Sequence, residues 1–455
     1  MNALKYLYIF FMIMVCSLSC LAYSITDKEV IISASILVIY FVSFFLVIKY
    51  SPDLTRIKLS SVYLLGFGLF ICGRFFSNLF GMQKTFCFDF GYSYCLNSNE
   101  IIYSNILISS ALIFFTWGFI GSEGVFKKYN FIPKEEYVSR SILNVILFSG
   151  FVSGILTLKN TVNSVFTAIN DGYMSLYAGQ VEAYSSPVSL ILMVYFNAVV
   201  AISYSFKNDI KKYIFIILNA LFVFNLLITV LAGSRANFVA AILVLFWLYL
   251  SDKKIKFSKV FFGIFLILTV FLTNYIASLS GARVAHEQKT SLYKAVVEDI
   301  FYNQGITMMV FNMGIREDGY PILAYMKTII PGVQIIFSWF DKIYQYELSF
   351  SQYLMYKLSP NLFYEGYGLA WSLLGDFYAF SFNIIFVFFL YNFLWGRAMY
   401  FVSLGYNKTK ILSGLYFCFL SSVFILNRFS ISSFLVLIVF YFFLFKMVKL
   451  KWGNS

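Results

Sequence analysis

Apolar residues in this chain fill long unbroken runs; they do not alternate or mark one face of an element. The runs fall at about 4–23, 29–48, 59–80, 100–121, 141–158, 188–206, 213–232, 236–251, 260–280, 379–400, 411–427 and 431–446. A helix needs roughly 20 apolar residues to cross a bilayer, and lipid offers backbone polar groups no partner but each other. Runs this long and continuous exclude barrel strands, so they predict twelve transmembrane helices. The first run, about 6–23 after Lys5, resembles a signal peptide. It exceeds the roughly 7–15 apolar residues of a signal core and lacks a small-x-small cleavage site, so it is read as an uncleaved span. Composition agrees: at 60% hydrophobic and 12% charged residues, no soluble globular fold of 455 residues fits.

Charge orients the spans. An even number puts both termini on one side, with the connectors around 49–58, 122–140, 207–212, 252–259 and 397–410. That side carries 21 Lys and Arg against 6 Asp and Glu, and the other carries 13 against 15. Short basic connectors such as "KNDIKK" and "DKKIKFSK" are retained in the cytoplasm, which makes both termini cytoplasmic. The net charge of +13 therefore reports orientation, not nucleic-acid binding. Cys16, Cys20, Cys72 and Cys418 lie in expected spans as small core residues. Cys87 and Cys95 share one outer loop, where a disulfide and two free thiols are both open readings.

Two outer connectors are long, about 159–187 and 281–378. The second mixes aromatic, charged and amphipathic stretches, the mark of a structured, functional loop. It divides the chain into a bundle at 1–280, a large loop at 281–378, and closing spans with a tail at 379–455. Within it, Leu292, Val296, Ile300 and Met308 recur near helical spacing. Gly366 and Gly368 are expected to turn the chain sharply into a short re-entrant helix that leads to the next span. No internal repeat is visible, which argues against an inverted-repeat transporter.

The chain has one histidine, no Cys/His cluster, no H-E-x-x-H, no P-loop and no D-x-D. Those absences argue against nucleotide-driven and zinc chemistry, and no cofactor or metal is expected. What remains is a set of outer arginines: Arg74, Arg235, Arg283, Arg316 and Arg428. Singly, each reads as a snorkelling anchor at a span end. Together they suit a phosphate or pyrophosphate, because the guanidinium fork binds such oxygens in pairs and never deprotonates. Arg235 follows Gly233 and Ser234, where a tight turn and a helix N-terminus would face the same anion. His286 lies three residues after Arg283 and is the first candidate for a base, with Glu365 and Asp376 behind it. The loop aromatics would stack on sugars or form an interfacial belt, and the belt is favoured for most.

The stretches "LAGSRANF" (231–238), "FYNQGITMMVFN" (301–312) and "EGYGLAWSLLGDFYAFSF" (365–382) carry a resemblance. The chain resembles the Wzy-type oligosaccharide repeat unit polymerases, which include the bacterial O-antigen polymerases. In the last stretch the pattern falls on Gly366, Gly368, Ser372 and the pair Asp376–Phe377, with Asp where relatives often carry Glu. The resemblance implies a GT-C-like, all-α membrane fold with one large, partly helical periplasmic loop, in the bacterial inner membrane. It implies joining of repeat units carried on undecaprenyl pyrophosphate, and a chain-length regulator of the Wzz type as partner. In that scheme Arg235 and Arg283 hold the pyrophosphate, Arg316 or Arg428 assists, and His286, Glu365 or Asp376 takes the hydroxyl proton. The competing readings are an O-antigen ligase using the same donor and a Wzx-type flippase. A flippase would carry charges inside its spans, whereas almost all charges here lie in connectors and at span ends.

Overall fold

The computed structural model describes residues 2–52, 58–89, 93–126, 138–171, 187–231, 235–251, 297–317, 319–330, 332–340, 343–406 and 408–450. The expected span at 260–280, Arg283 and His286 lie outside the described residues. Helices α1 (Asn2–Thr26), α2 (Glu29–Tyr50), α3 (Leu59–Phe70) and α4 (Gly73–Leu79) come first. A short hairpin follows, β1 (Cys87–Asp89) with β2 (Ser93–Cys95). Then come α5 (Ser98–Phe126), α6 (Arg140–Asp171), α7 (Pro187–Ser205), α8 (Lys212–Ile228) and α9 (Arg235–Ser251). The later part holds a π-helix at Glu298–Tyr302, α10 (Ile306–Ile315), α11 (Ile322–Ile329), α12 (Val333–Phe337), α13 (Phe350–Leu358) and α14 (Pro360–Tyr364). Helices α15 (Leu373–Phe380), α16 (Ile385–Gly405), α17 (Lys410–Ser422) and α18 (Ser432–Lys449) complete it.

Seven described helices are long and apolar enough to cross a membrane, and eight segments are if the bent pair α3–α4 counts as one. Three shorter apolar helices, Lys212–Ile228, Asn237–Leu248 and Lys410–Ser422, fall where spans are expected. Two expected spans differ in form. The run at 59–80 breaks after Phe70, and α4 leaves the axis of α3 by 58°. The run at 379–400 is cut by Phe382 and Asn383, both left-handed at φ 49° and 64°, so α16 starts only at Ile385. Hydropathy detects neither break, because both sides of each are apolar.

The four described ion pairs test the sorting of charges. Lys5 pairs with Glu123, Lys410 with Asp209, Arg316 with Glu100 and Lys357 with Glu317. Every pair joins two residues that the charge pattern puts on the same side.

One hydrophobic core runs from Ile9 to Val448 and takes in Met308, Phe311, Leu354 and Trp371 from the long connector. Part of that expected loop therefore packs within the bundle. Helices α5 and α16 meet through two glycines. A Cβ on Gly118 would stand 2.0 Å from the Phe393 carbonyl oxygen, and one on Gly396 2.2 Å from that of Phe115. Small residues at such crossings let backbones approach where lipid supplies no hydrophobic drive. Gly118→Ala is expected to cost about 1–3 kcal/mol through overpacking, read as a lower unfolding midpoint of the purified protein in detergent. Gly124→Ala, on the same helix with nothing within 4 Å, is expected to leave the midpoint unchanged or slightly higher.

Candidate functional site

The break between α3 and α4 is held by backbone contact. A Cβ on Gly73 would fall 2.5 Å from the Phe301 carbonyl oxygen, and one on Gly305 2.5 Å from the Arg74 nitrogen. The first turn of α4 therefore sits directly against the π-helix Glu298–Tyr302 and the turn after it. Such wide turns are common at functional sites. The long helix expected over this stretch is interrupted at 303–305, with Ile300 and Met308 buried on either side. Leu292 and Val296 lie outside the described residues.

Arg74 lies beside that contact and is 2% exposed. Its Nη1 donates to the carbonyl oxygens of Thr85 and Cys87, each at 3.1 Å. Its guanidinium lies 3.5 Å from the ring centre of Tyr302, a cation–π contact. Nε has no partner among the described residues, and no described carboxylate pairs with this arginine. The carbonyls belong to the hairpin that the Cys87–Cys95 disulfide closes, with the two cysteines opposite one another in its register. Of the two open readings for these cysteines, the bonded one holds.

Asp376 sits in the first turn of α15, which Ser372 caps by accepting the Gly375 N–H at 3.0 Å. It is fully buried. Trp371 Nε1 donates to Oδ1 at 2.8 Å, Ser430 Oγ to Oδ1 at 3.2 Å, and the Ile431 N–H to Oδ2 at 2.6 Å. Burial drives its carboxyl up to about 7, against the pull of those three donors, which favour the charged form. The last two donors lie in the turn between α17 and α18. Arg428, in the same turn, donates from Nη1 to the Gln304 Oε1 and lies 5.6 Å from the ring centre of Phe70.

These contacts form one line. Asp376 contacts Ser430 and Ile431, and two to three residues back along the chain Arg428 contacts Gln304; two residues before Gln304, Tyr302 contacts Arg74, which holds the hairpin. Five stretches build this line: the broken third span, the hairpin that follows it, residues 298–305, residues 371–376 and residues 425–431. Of the expected site residues, Asp376 and Arg428 meet here. Arg316 is exposed, paired with Glu100 and 4.6 Å from the ring centre of Tyr94, so its charge is already answered. Glu365 is exposed at the end of α14 and is not in this line. The turn into it uses Gly366, which is left-handed at φ 91°; Gly368 is not left-handed. Arg235 opens α9, and its side chain, like Arg283 and His286, is outside the described residues.

Tyr302, Gln304, Trp371 and Ser430 were not singled out in the sequence. The available signals were a Cys72–Gly73 step before an arginine inside an apolar run, and the polar triplet 302–304 beside a glycine. Chemically, the arrangement offers buried cationic N–H groups for an anion and a carboxyl that changes charge near neutrality. Among the described residues, no group of three or more His, Cys, Asp or Glu is arranged to hold a metal ion.

Spans of membrane length around a buried arginine and a buried acid define a polytopic membrane protein whose site suits an anionic substrate. The family model of O-antigen polysaccharide polymerase Wzy matches residues 7–451, nearly the whole chain, and the chain belongs to that family. It is thus a membrane glycosyltransferase of O-antigen polymerisation. No curated protein and no solved structure matches it.

An aspartic acid whose pKa rises on folding favours the native state while it keeps its proton. The unfolded carboxyl titrates near 3.8 and the folded one near 7, so that stabilisation fades as pH climbs between those values. The unfolding midpoint of the wild type, measured against Asp376→Asn, is expected to fall from about pH 4 to about pH 7 and then level.

Proposed function

We propose that the chain polymerises repeat units carried on undecaprenyl pyrophosphate at the outer face of the bacterial inner membrane, with its termini in the cytoplasm. The hydroxyl oxygen of the incoming unit attacks the anomeric carbon of the growing chain. The bond from that carbon to the pyrophosphate oxygen breaks, and undecaprenyl pyrophosphate leaves with the electron pair. Asp376 takes the hydroxyl proton, a role open to a carboxyl that titrates near neutral pH. His286 is the second candidate for that proton. Arg74, buried and paired with no acid among the described residues, is the observation that carries this reading. A buried guanidinium whose Nε has no partner among the described residues is preorganised for charge arriving on a leaving group. Arg428 stands on the same line of contacts, and Arg235 and Arg283 complete the cation set. Arg316 is left out, because Glu100 already answers it.

The rest of the scheme follows the resemblance: a GT-C-like bundle of about twelve spans, the 281–378 connector as outer cover of the site, and a Wzz-type regulator as partner. The cover would limit attack by water on the donor. Deleting the gene is expected to leave lipid A core capped by a single repeat unit on a polysaccharide gel. Uncapped core would instead indicate ligase or flippase activity. Complementation with Arg74→Ala, Arg428→Ala or Asp376→Asn, at matched protein level, is expected to restore at most about 1% of the polymer, the scale of one lost charge-stabilising group. A normal ladder from any of them removes that residue from the site.

A further inference from the structure

The long connector carries a second aromatic feature, on its surface and away from the buried line. Tyr344, Tyr346 and Tyr356 stack as a column. The first two ring centres are 5.4 Å apart with planes 13° from parallel, and the second two are 4.0 Å apart at 5°. Phe363 and Tyr364 set their edges against Tyr356 at 5.7 Å and 6.2 Å. The column is not core: Tyr344 is 44% exposed and Tyr364 45%. Glu347 accepts the Tyr344 N–H at 3.2 Å and fixes the turn that presents these rings, and Glu365 stands exposed next to Tyr364.

An interfacial belt does not need this order. Trp339 and Phe340 show what a belt residue looks like here, since both are highly exposed and neither stacks on another ring among the described residues. The tyrosines instead make one ordered surface of ring faces and phenols with carboxylates at its margin. Sugar rings match that surface. Their C–H faces pack on aromatic planes, and their hydroxyls bond phenols and carboxylates.

Position adds a second argument. Helix α13 begins with Phe350, which stacks at 5.8 Å on Trp371, the residue that donates to Asp376. The same helix presents Tyr356 six residues on, about 9 Å along its axis at 1.5 Å per residue. One rigid helix thus spans from the buried acid to the surface column.

We propose that the tyrosine column binds the sugar chain itself, a few residues from the bond being formed, and that it prefers neutral sugars over acidic ones because Glu347 and Glu365 flank it. This rests on the reading of the chain as a polymerase that acts at Asp376. The column would hold the chain between additions, and Glu365 would accept hydroxyl hydrogen bonds there.

The test uses full-length protein in detergent. The probe is surface polysaccharide from the strain that carries the gene, released by mild acid and free of lipid and pyrophosphate, with binding followed by saturation-transfer NMR. Wild type is expected to bind. Tyr344→Ala/Tyr364→Ala is expected to bind about tenfold more weakly and, in cells, to give a ladder shifted to short chains. If that double variant does not fold, Tyr364→Leu alone, at a half-exposed position, is expected to weaken binding in the same direction. Arg74→Ala is expected to bind the probe as wild type does, since the probe has no pyrophosphate. Undiminished binding by the folded tyrosine variant overturns the platform, as does loss of membrane retention in place of loss of binding. A full ladder from Arg74→Ala, with binding still lost in the tyrosine variant, would sink the pyrophosphate reading and leave the platform standing.

Discussion

A guanidinium with almost no water around it must be solvated by something else, and that constraint organises this molecule. Arg74 stands in the bend of a broken span with two backbone carbonyls and one aromatic face as its only described partners. Carbonyl dipoles and a ring quadrupole offset part of the desolvation cost, and a buried charge usually demands more than that. Everything near it is built to hold those partners still. The disulfide closes the hairpin that supplies the carbonyls. The contact between Gly73 and Gly305 fixes the π-helix that supplies Tyr302. Among the described residues no acid pairs with this arginine, and that is what supports the proposal of a diphosphate beside it.

Asp376 poses the same problem with the opposite sign and a different solution. Three donors converge on it, yet burial still lifts its pKa to about 7. A carboxylate that needed only to be stable would be paired with a cation. Arg428, two residues before Ser430, donates instead to Gln304. Among the described residues, no ion pair joins Asp376 to Arg74 or Arg428.

Much of the scaffold was legible in the sequence. Runs of twenty apolar residues have one physical use, and Lys and Arg counts in short connectors sort the ends of the helices. The four described ion pairs obey that sorting. Asp376 was legible as a candidate base behind His286, and Arg428 as a charge between two spans. The bends were not, because Phe70–Ile71 and Phe382–Asn383 lie among apolar neighbours and their geometry is set by distant contacts. Tyr302, Gln304 and Ser430 were missed for a related reason. Each is an ordinary polar residue until a partner 54 or more positions away arrives beside it. Glu365 and Arg316 lie exposed, apart from the buried Asp376, and exposure of that kind depends on packing that the sequence does not display.

The central claim is that the buried, acid-free guanidinium of Arg74 binds the pyrophosphate of the lipid-linked donor. An experimental structure of the protein bound to an undecaprenyl-pyrophosphate-linked unit tests it most directly. The account predicts diphosphate oxygens within hydrogen-bonding reach, about 2.7–3.1 Å, of the Arg74 guanidinium, with the anomeric carbon on the Asp376 side. A diphosphate seated elsewhere, with Arg74 still facing only Thr85, Cys87 and Tyr302, would contradict it.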